Sequence, residues 1–154
     1  MLTEGKKAPE FLLAGSDGKT HSLKEFAGKS LVLYFYPKDD TPGCTIEAKS
    51  FSKSMAPIKK AGAMVVGISA DDVDSHCRFS SKYGLGFLLL SDPERKTMEE
   101  YGAYGDRGIF GKGILRKTFI IGKDGEILKI YNKVRPLGHG SEVLEFLKGM
   151  KNGE

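Results

Sequence analysis

The sequence predicts an α/β fold: a central mixed sheet with helices on both faces and an N-terminal β-hairpin before it. Three observations carry this. Two continuous apolar runs, Ser30 to Tyr36 and Ala63 to Ala70, have the character of strands buried on both faces. Each is followed by a segment with helical spacing, and strands alternating with helices build a layered sheet. Late in the chain, Arg116 to Ile121 and Glu126 to Tyr131 flank Gly122-Lys123-Asp124-Gly125, which reads as an antiparallel hairpin ahead of a closing helix.

The elements follow in order. Ala8 to Leu13 and Thr20 to Leu23 flank Gly15-Ser16-Asp17-Gly18, and Asp-Gly between two short extended segments signals a hairpin. Glu25 to Gly28 makes a brief turn, and Pro37 ends the first central strand because it has no N–H for a ladder. Cys44, Ala48, Phe51, Met55 and Ile58 recur at intervals of about four and three, one face of a helix. Thr41 suits the N-cap of that helix and Pro42 its first position, where a missing N–H costs nothing. Pro57 falls inside the same run and predicts a kink or early end.

After the second central strand, Asp71 or Asp72 caps a helix running to about Tyr83, and Gly84 stops it. Phe87 to Leu90 reads as a strand, Met98 to Tyr101 as part of a short helix, and Gly102 to Gly113 as a long surface connection. The last helix begins near Ser141 and buries Val143, Leu144, Leu147 and Met150. With no internal repeat or linker, 154 residues make one domain, 1–154, able to bury roughly 68% of the extended chain's surface.

Composition narrows the function. The formal charge is +4, from 24 Lys plus Arg against 20 Asp plus Glu, too balanced for a nucleic-acid surface. No run approaches the roughly 20 apolar residues of a membrane span, and the expectation is a cytoplasmic protein. Two cysteines outside any Cys-x-x-Cys arrangement do not form a disulfide framework. His21, His76 and His139 lie scattered without a metal motif, and His76 reads as a packing or capping residue of the helix that carries Cys77. No glycine-rich loop has phosphate-binding spacing.

The segment Tyr34 to Cys44, "YFYPKDDTPGC", resembles the peroxiredoxins, specifically the bacterioferritin comigratory protein or peroxiredoxin Q branch. Its Pro-x-x-x-Thr-x-x-Cys pattern matches Pro37, Thr41 and Cys44. The likeness continues in family order through "SADDVDSHCRFSSKYGL", "LLSD", "GILRKTFIIGKDGEI" and "VRPLGHGSEVLEFL". The resemblance implies a thioredoxin-like fold and a thiol peroxidase for hydrogen peroxide and organic hydroperoxides, with no metal, haem or flavin. Cys44 matches the peroxidatic cysteine and Arg116 its supporting arginine. Many relatives carry a resolving cysteine five residues beyond Cys44, where this chain has Lys49; Cys77 stands where some members of the branch place theirs. The resemblance further implies regeneration by thioredoxin or a related dithiol, and a monomer.

Each residue also has a plainer reading. Cys44 opens an apolar helical stripe and suits an inert core thiol; at a helix start, unpaired N–H groups and the dipole instead favour its anion. Thr41 suits either a helix cap or a hydroxyl donating to peroxide. Pro37 and Pro42 restrict the loop and shield the sulfur, and Gly43 permits close approach of backbone and substrate. Arg116 reads as a strand-end charge or as a fork holding sulfur and peroxide. Glu47, three residues after Cys44, reads as a solvent-facing glutamate or as the partner that orients Arg116. Tyr36 reads as a core aromatic or a pocket wall. Cys77 points about 160° away from Phe79 on its helix, off the apolar face of Phe79 and Tyr83. A cycle using only an external thiol, and a binding or holdase module of the same fold, stand as alternatives.

Overall fold

The computed structural model describes residues 2–153. The six residues of β3 (Ser30–Phe35), the first central strand, are all buried, as a continuous apolar run requires. β3 pairs in parallel with β4 (Ala63–Ser69), from Ser30 opposite Ala63 to Phe35 opposite Ile68. β4 pairs in parallel with β5 (Leu88–Ser91), and β5 antiparallel with β1 (Leu12–Gly15), which forms the expected hairpin with β2 (Thr20–Ser22). On the other side β8 (Lys117–Ile121) runs antiparallel to β3, and β9 (Ile127–Tyr131) antiparallel to β8. The resulting mixed sheet has the order β2-β1-β5-β4-β3-β8-β9.

Strand alternation divides the core. Leu31, Leu33 and Phe35 join Phe26, Met98, Tyr101 and Phe119 on one face. Val32, Tyr34 and Tyr36 join Cys44, Phe51, Phe79 and Val143 on the other. The first face is covered by α4 (Lys96–Glu100) and a 3-10 turn at Leu23–Phe26. The second is covered by α1 (Pro42–Lys53), α2 (Met55–Lys60), α3 (Val73–Tyr83) and α5 (His139–Gly153). Asp72 caps α3 by accepting from the Ser75 N–H at 2.8 Å, and Gly84 ends it in the left-handed conformation at φ 60°.

The helical run ends early as expected, but at Ser54, three residues ahead of Pro57. Pro57 has no N–H for the carbonyl of Lys53, so the chain restarts as α2 with the proline in its first turn, where that donor is not needed. Residues 104–114 are more than a connection: β6 (Tyr104–Asp106) and β7 (Lys112–Ile114) form a second, two-stranded sheet. Gly108 and Gly111, at φ 69° and 74°, supply its turn, and the glycine spacing conceals strands this short. α5 starts at His139, two residues earlier than expected, directly after Gly138 at φ 81°. Among the described residues no helix is long and apolar enough to cross a membrane.

Candidate active site

Past the end of β3, Tyr36 still donates its N–H to the Ile68 carbonyl at 3.1 Å, and Pro37 then releases the chain from the sheet. The loop turns at Asp40, whose φ of 57° is uncommon for a residue other than glycine. Thr41 occupies the N-cap position, yet its hydroxyl makes no cap; it donates to the Lys38 carbonyl at 2.9 Å. The hydroxyl therefore braces the loop and keeps lone pairs free for another donor. Pro42 is exposed at the first helical position and Pro37 half-buried, so Pro42 shapes the helix start without covering it. Cys44 follows as the third helical residue, among the N–H groups a helix leaves without internal partners.

Cys44 is buried, and Arg116 reaches it from just ahead of β8: Nη2 donates to Sγ at 3.4 Å. The same guanidinium donates from Nη1 to Glu47 Oε1 at 2.5 Å. Cys44 and Glu47 lie one turn apart on α1, and one planar fork spans both. Glu47 is fully buried, which excludes the solvent-facing reading. Burial pushes its carboxyl up to about 7, with Arg116 pulling it back toward the ionised form. Burial opposes the charge on Arg116, but Glu47 and then Cys44 hold the guanidinium above its ordinary value. Gly43 makes room for the fork, since a Cβ there would lie 3.3 Å from Arg116 Nη2 and 3.9 Å from Pro136 Cγ. Pro136, in the loop before α5, is a wall of the site that sequence reasoning missed.

The model of the AhpC/TSA family matches residues 4–130. The chain belongs to this family. Peroxiredoxin Bcp of Bacillus subtilis is 43% identical over 149 residues, 95% of each chain. Among solved structures, the bacterioferritin comigratory protein of Xanthomonas campestris is 37% identical over 91% of both chains, with a TM-score of 0.87. A cysteine-to-serine mutant of PrxQ from Xylella fastidiosa is 31% identical over 98% of both, with a TM-score of 0.94. The chain is a peroxiredoxin of the bacterioferritin comigratory protein or peroxiredoxin Q branch, with their thioredoxin-like fold, and it is a peroxidase that takes a peroxide and a thiol reductant.

In this peroxiredoxin the second cysteine stands apart from the first. Both thiols are free. Cys77 Sγ donates to the Ser16 carbonyl at 3.1 Å, off the face on which Phe79 is buried. Ser16 is bonded to Leu89 of β5, whereas Arg116 leads into β8. Three strand intervals separate β5 from β8, roughly 14 Å at about 4.8 Å each.

The peroxiredoxin also holds a buried polar network that the sequence did not signal. Tyr36 is a core aromatic whose hydroxyl donates to Asp39 Oδ1 at 2.5 Å, and His76 Nδ1 meets Asp39 Oδ2 at 2.7 Å. His76 Nε2 faces the Leu90 carbonyl at 2.9 Å. Asp71 Oδ2 accepts from the Asp39 N–H at 2.8 Å and from Ser69 Oγ at 2.7 Å. The one available hint was His76 standing beside Cys77. Below the site, Tyr34 stacks on Phe51 with ring centroids 4.6 Å apart. Burial, then Glu47 and Cys44, push its phenol well above the ordinary value, so it remains neutral.

Proposed function

We infer that this single domain reduces hydrogen peroxide and organic hydroperoxides through Cys44, resolves the product with Cys77, and is regenerated by thioredoxin or a related dithiol. The observation that carries the reading is the Arg116 fork, with Nη2 on Cys44 Sγ and Nη1 held by Glu47. The Cys44 thiolate attacks one oxygen of the peroxide, an S–O bond forms and the O–O bond breaks. The departing oxygen leaves with the electron pair and takes up a proton, giving water or an alcohol and Cys44 sulfenic acid. Charge grows on that oxygen as the bond lengthens, and fixed donors stabilise the change without reorganising. Arg116 and the first-turn N–H groups of α1 supply them, while the Thr41 hydroxyl, donating to the Lys38 carbonyl, offers its lone pairs to the peroxide's own hydrogen, and Gly43 leaves space for the oxidant. Pro37 and Pro42 hold the loop in shape. The X. campestris relative has alkyl peroxide reduction activity, which supports the organic substrates.

In the second step the Cys77 sulfur attacks the Cys44 sulfenic sulfur, the S–O bond breaks, and hydroxide leaves with the Cys77 proton as water. A disulfide needs Cα atoms within about 7 Å. The first turn of α1 therefore unravels, or the segment 71–84 moves, before the bond forms. A dithiol then returns two electrons and two protons by exchange. We place this cycle in a cytoplasmic monomer that uses no metal or other cofactor and binds neither nucleic acid nor membrane.

Peroxide titration of wild type, Cys44→Ser and Cys77→Ser, read by turnover with a thioredoxin system and by disulfide mapping, tests the reading. Cys44→Ser is expected to lose turnover, and one equivalent of peroxide to link residues 44 and 77. Equal inactivity of wild type and Cys44→Ser would remove the mechanism. A lasting Cys44 sulfenic acid without the linkage favours the cycle that uses an external thiol, which the Cys77 bond to Ser16 also favours.

A further inference from the structure

The loop ahead of Cys44 is tied to α3 at both ends of that helix by consecutive carboxylates. At the start of α3, Asp39 Oδ2 accepts from Ser75 Oγ at 2.8 Å and meets His76 Nδ1 at 2.7 Å. Near its end, Asp40 accepts from Lys82 Nζ at 2.8 Å and from the Tyr83 hydroxyl at 2.6 Å. The left-handed φ of Asp40 is the turn that presents neighbouring carboxylates to one helix.

The Asp39–His76 contact is a short buried hydrogen bond whose partners have no substitute for each other. The Leu90 carbonyl accepts only, so His76 Nε2 carries a hydrogen. Asp39 already accepts hydroxyl donors on both oxygens, from Tyr36 and Ser75. One hydrogen shared between Nδ1 and Asp39 Oδ2 therefore leaves every polar atom of the pair bonded. Both side chains are buried, His76 completely. Parting the pair at that depth leaves a buried donor and acceptor without partners, which is costly. The peroxide step makes no use of it.

The pair joins the loop that leads into the first turn of α1 to α3, and at least one of these two segments must rearrange for Cys44 and Cys77 to meet. We propose that Asp39 and His76 are positioning residues for the second chemical step: their pair latches the active-site loop onto α3 in the reduced enzyme, and its release sets the rate of disulfide formation. This rests on Cys77 as the resolving cysteine. The latch holds Cys77 away while peroxide reacts and leaves the sulfenic acid a defined lifetime.

The test follows sulfenic acid and disulfide separately after a peroxide pulse on the full chain, by rapid quench with a sulfenic-acid trap and mass spectrometry. His76→Gln keeps a donor for the Leu90 carbonyl and loses the one for Asp39; His76→Asn does the reverse. His76→Gln is expected to speed disulfide formation about tenfold to a hundredfold, the range for leaving a buried hydrogen-bonding group unpaired. Sulfenic acid formation should stay within about twofold, and His76→Asn should lie closer to wild type, an ordering that simple destabilisation does not produce. Disulfide formation unchanged or slowed in His76→Gln overturns the proposal. If the buried variants do not fold, Ser75→Ala and Tyr83→Phe each remove one strap bond at a less buried position; several-fold faster disulfide formation supports the latch, and wild-type rates overturn it. A wild type that never links residues 44 and 77 overturns the resolving role itself, whereas linkage at one rate in all variants overturns the latch alone.

Discussion

Arg116 performs two tasks with one planar group, and a lysine of equal charge offers only a point in place of the fork. With Nη1 clamped by Glu47, Nη2 is directed at Cys44 Sγ, 3.4 Å away. Arg116→Lys is expected to lower the rate constant with hydrogen peroxide about tenfold to a hundredfold, the range for one charged hydrogen bond, with little change in thermal stability. Stopped-flow measurement under pseudo-first-order conditions reads it, and a rate within about twofold of wild type contradicts the fork. Spacing placed Cys44 and Glu47 on one side of one helix, since a turn, a proline and an apolar stripe fix the helix and three residues fix the side, but it left their roles open between core or solvent and site. Arg116 came only from family likeness, because it meets Cys44 across 72 residues and nothing local marks which strand end lies beneath α1. Asp39 and His76 were illegible for the same reason, 37 residues apart and paired only by the packing of α3. Thr41 was read at the right position with the wrong bond, since a hydroxyl chooses among acceptors only when the loop is folded.

Elements were legible where periodicity was long and obscure where packing made the decision. β3, β4 and α3 followed from runs of apolar residues and their caps, whereas β6 and β7 are three-residue strands whose pairing is set by the turn between them. The start of α5 shows the limit most clearly. Its first residues lie against α1, where the Gly140 N–H donates to Ser50 Oγ at 2.8 Å. A Cβ at Gly140 would meet the Ser50 carbonyl, its carbon at 2.7 Å, and backbone does not yield as a side chain would. No feature of the sequence distinguishes this glycine from one that merely ends a turn. Gly140→Ala is expected to destabilise the protein by about 2 to 3 kcal/mol, the upper part of the range for overpacking a tight contact, despite the better helix propensity of alanine. Urea unfolding measures this. A stability equal to wild type means that α1 and α5 separate freely, and the close crossing then has no role in holding the site.

At the scale of the molecule, the two cores share β3 as their common wall, so neither face survives loss of the other and unfolding should be a single transition. Two buried groups on the α1 and α5 face then set opposite pH dependences. Glu47 holds its proton up to about 7 when folded and to about 4.5 when unfolded. Between those values the folded state binds more protons, so its contribution to stability falls as pH rises, by about 3 kcal/mol over the full window. His139 is held below its ordinary 6.5 by burial, with Glu142 pulling it back and Arg116 repelling its charge. Under pH 6.5 the unfolded state binds more protons, so this contribution falls as pH drops. The slopes oppose each other below about pH 6.5, where the Glu47 window overlaps that of His139, and each variant uncovers the one that remains. Relative to wild type, Glu47→Gln should lose stability as pH falls from about 7 to 4.5, and His139→Gln should lose it as pH rises toward 6.5. Urea unfolding of the three proteins between about pH 4.5 and 8 gives the differences, in which groups common to all, such as the raised His21, cancel. A wild-type-minus-Glu47→Gln difference that is flat across that range would mean the carboxylate is ionised throughout, and the Arg116 fork would then rest on a permanent ion pair instead of a titrating one.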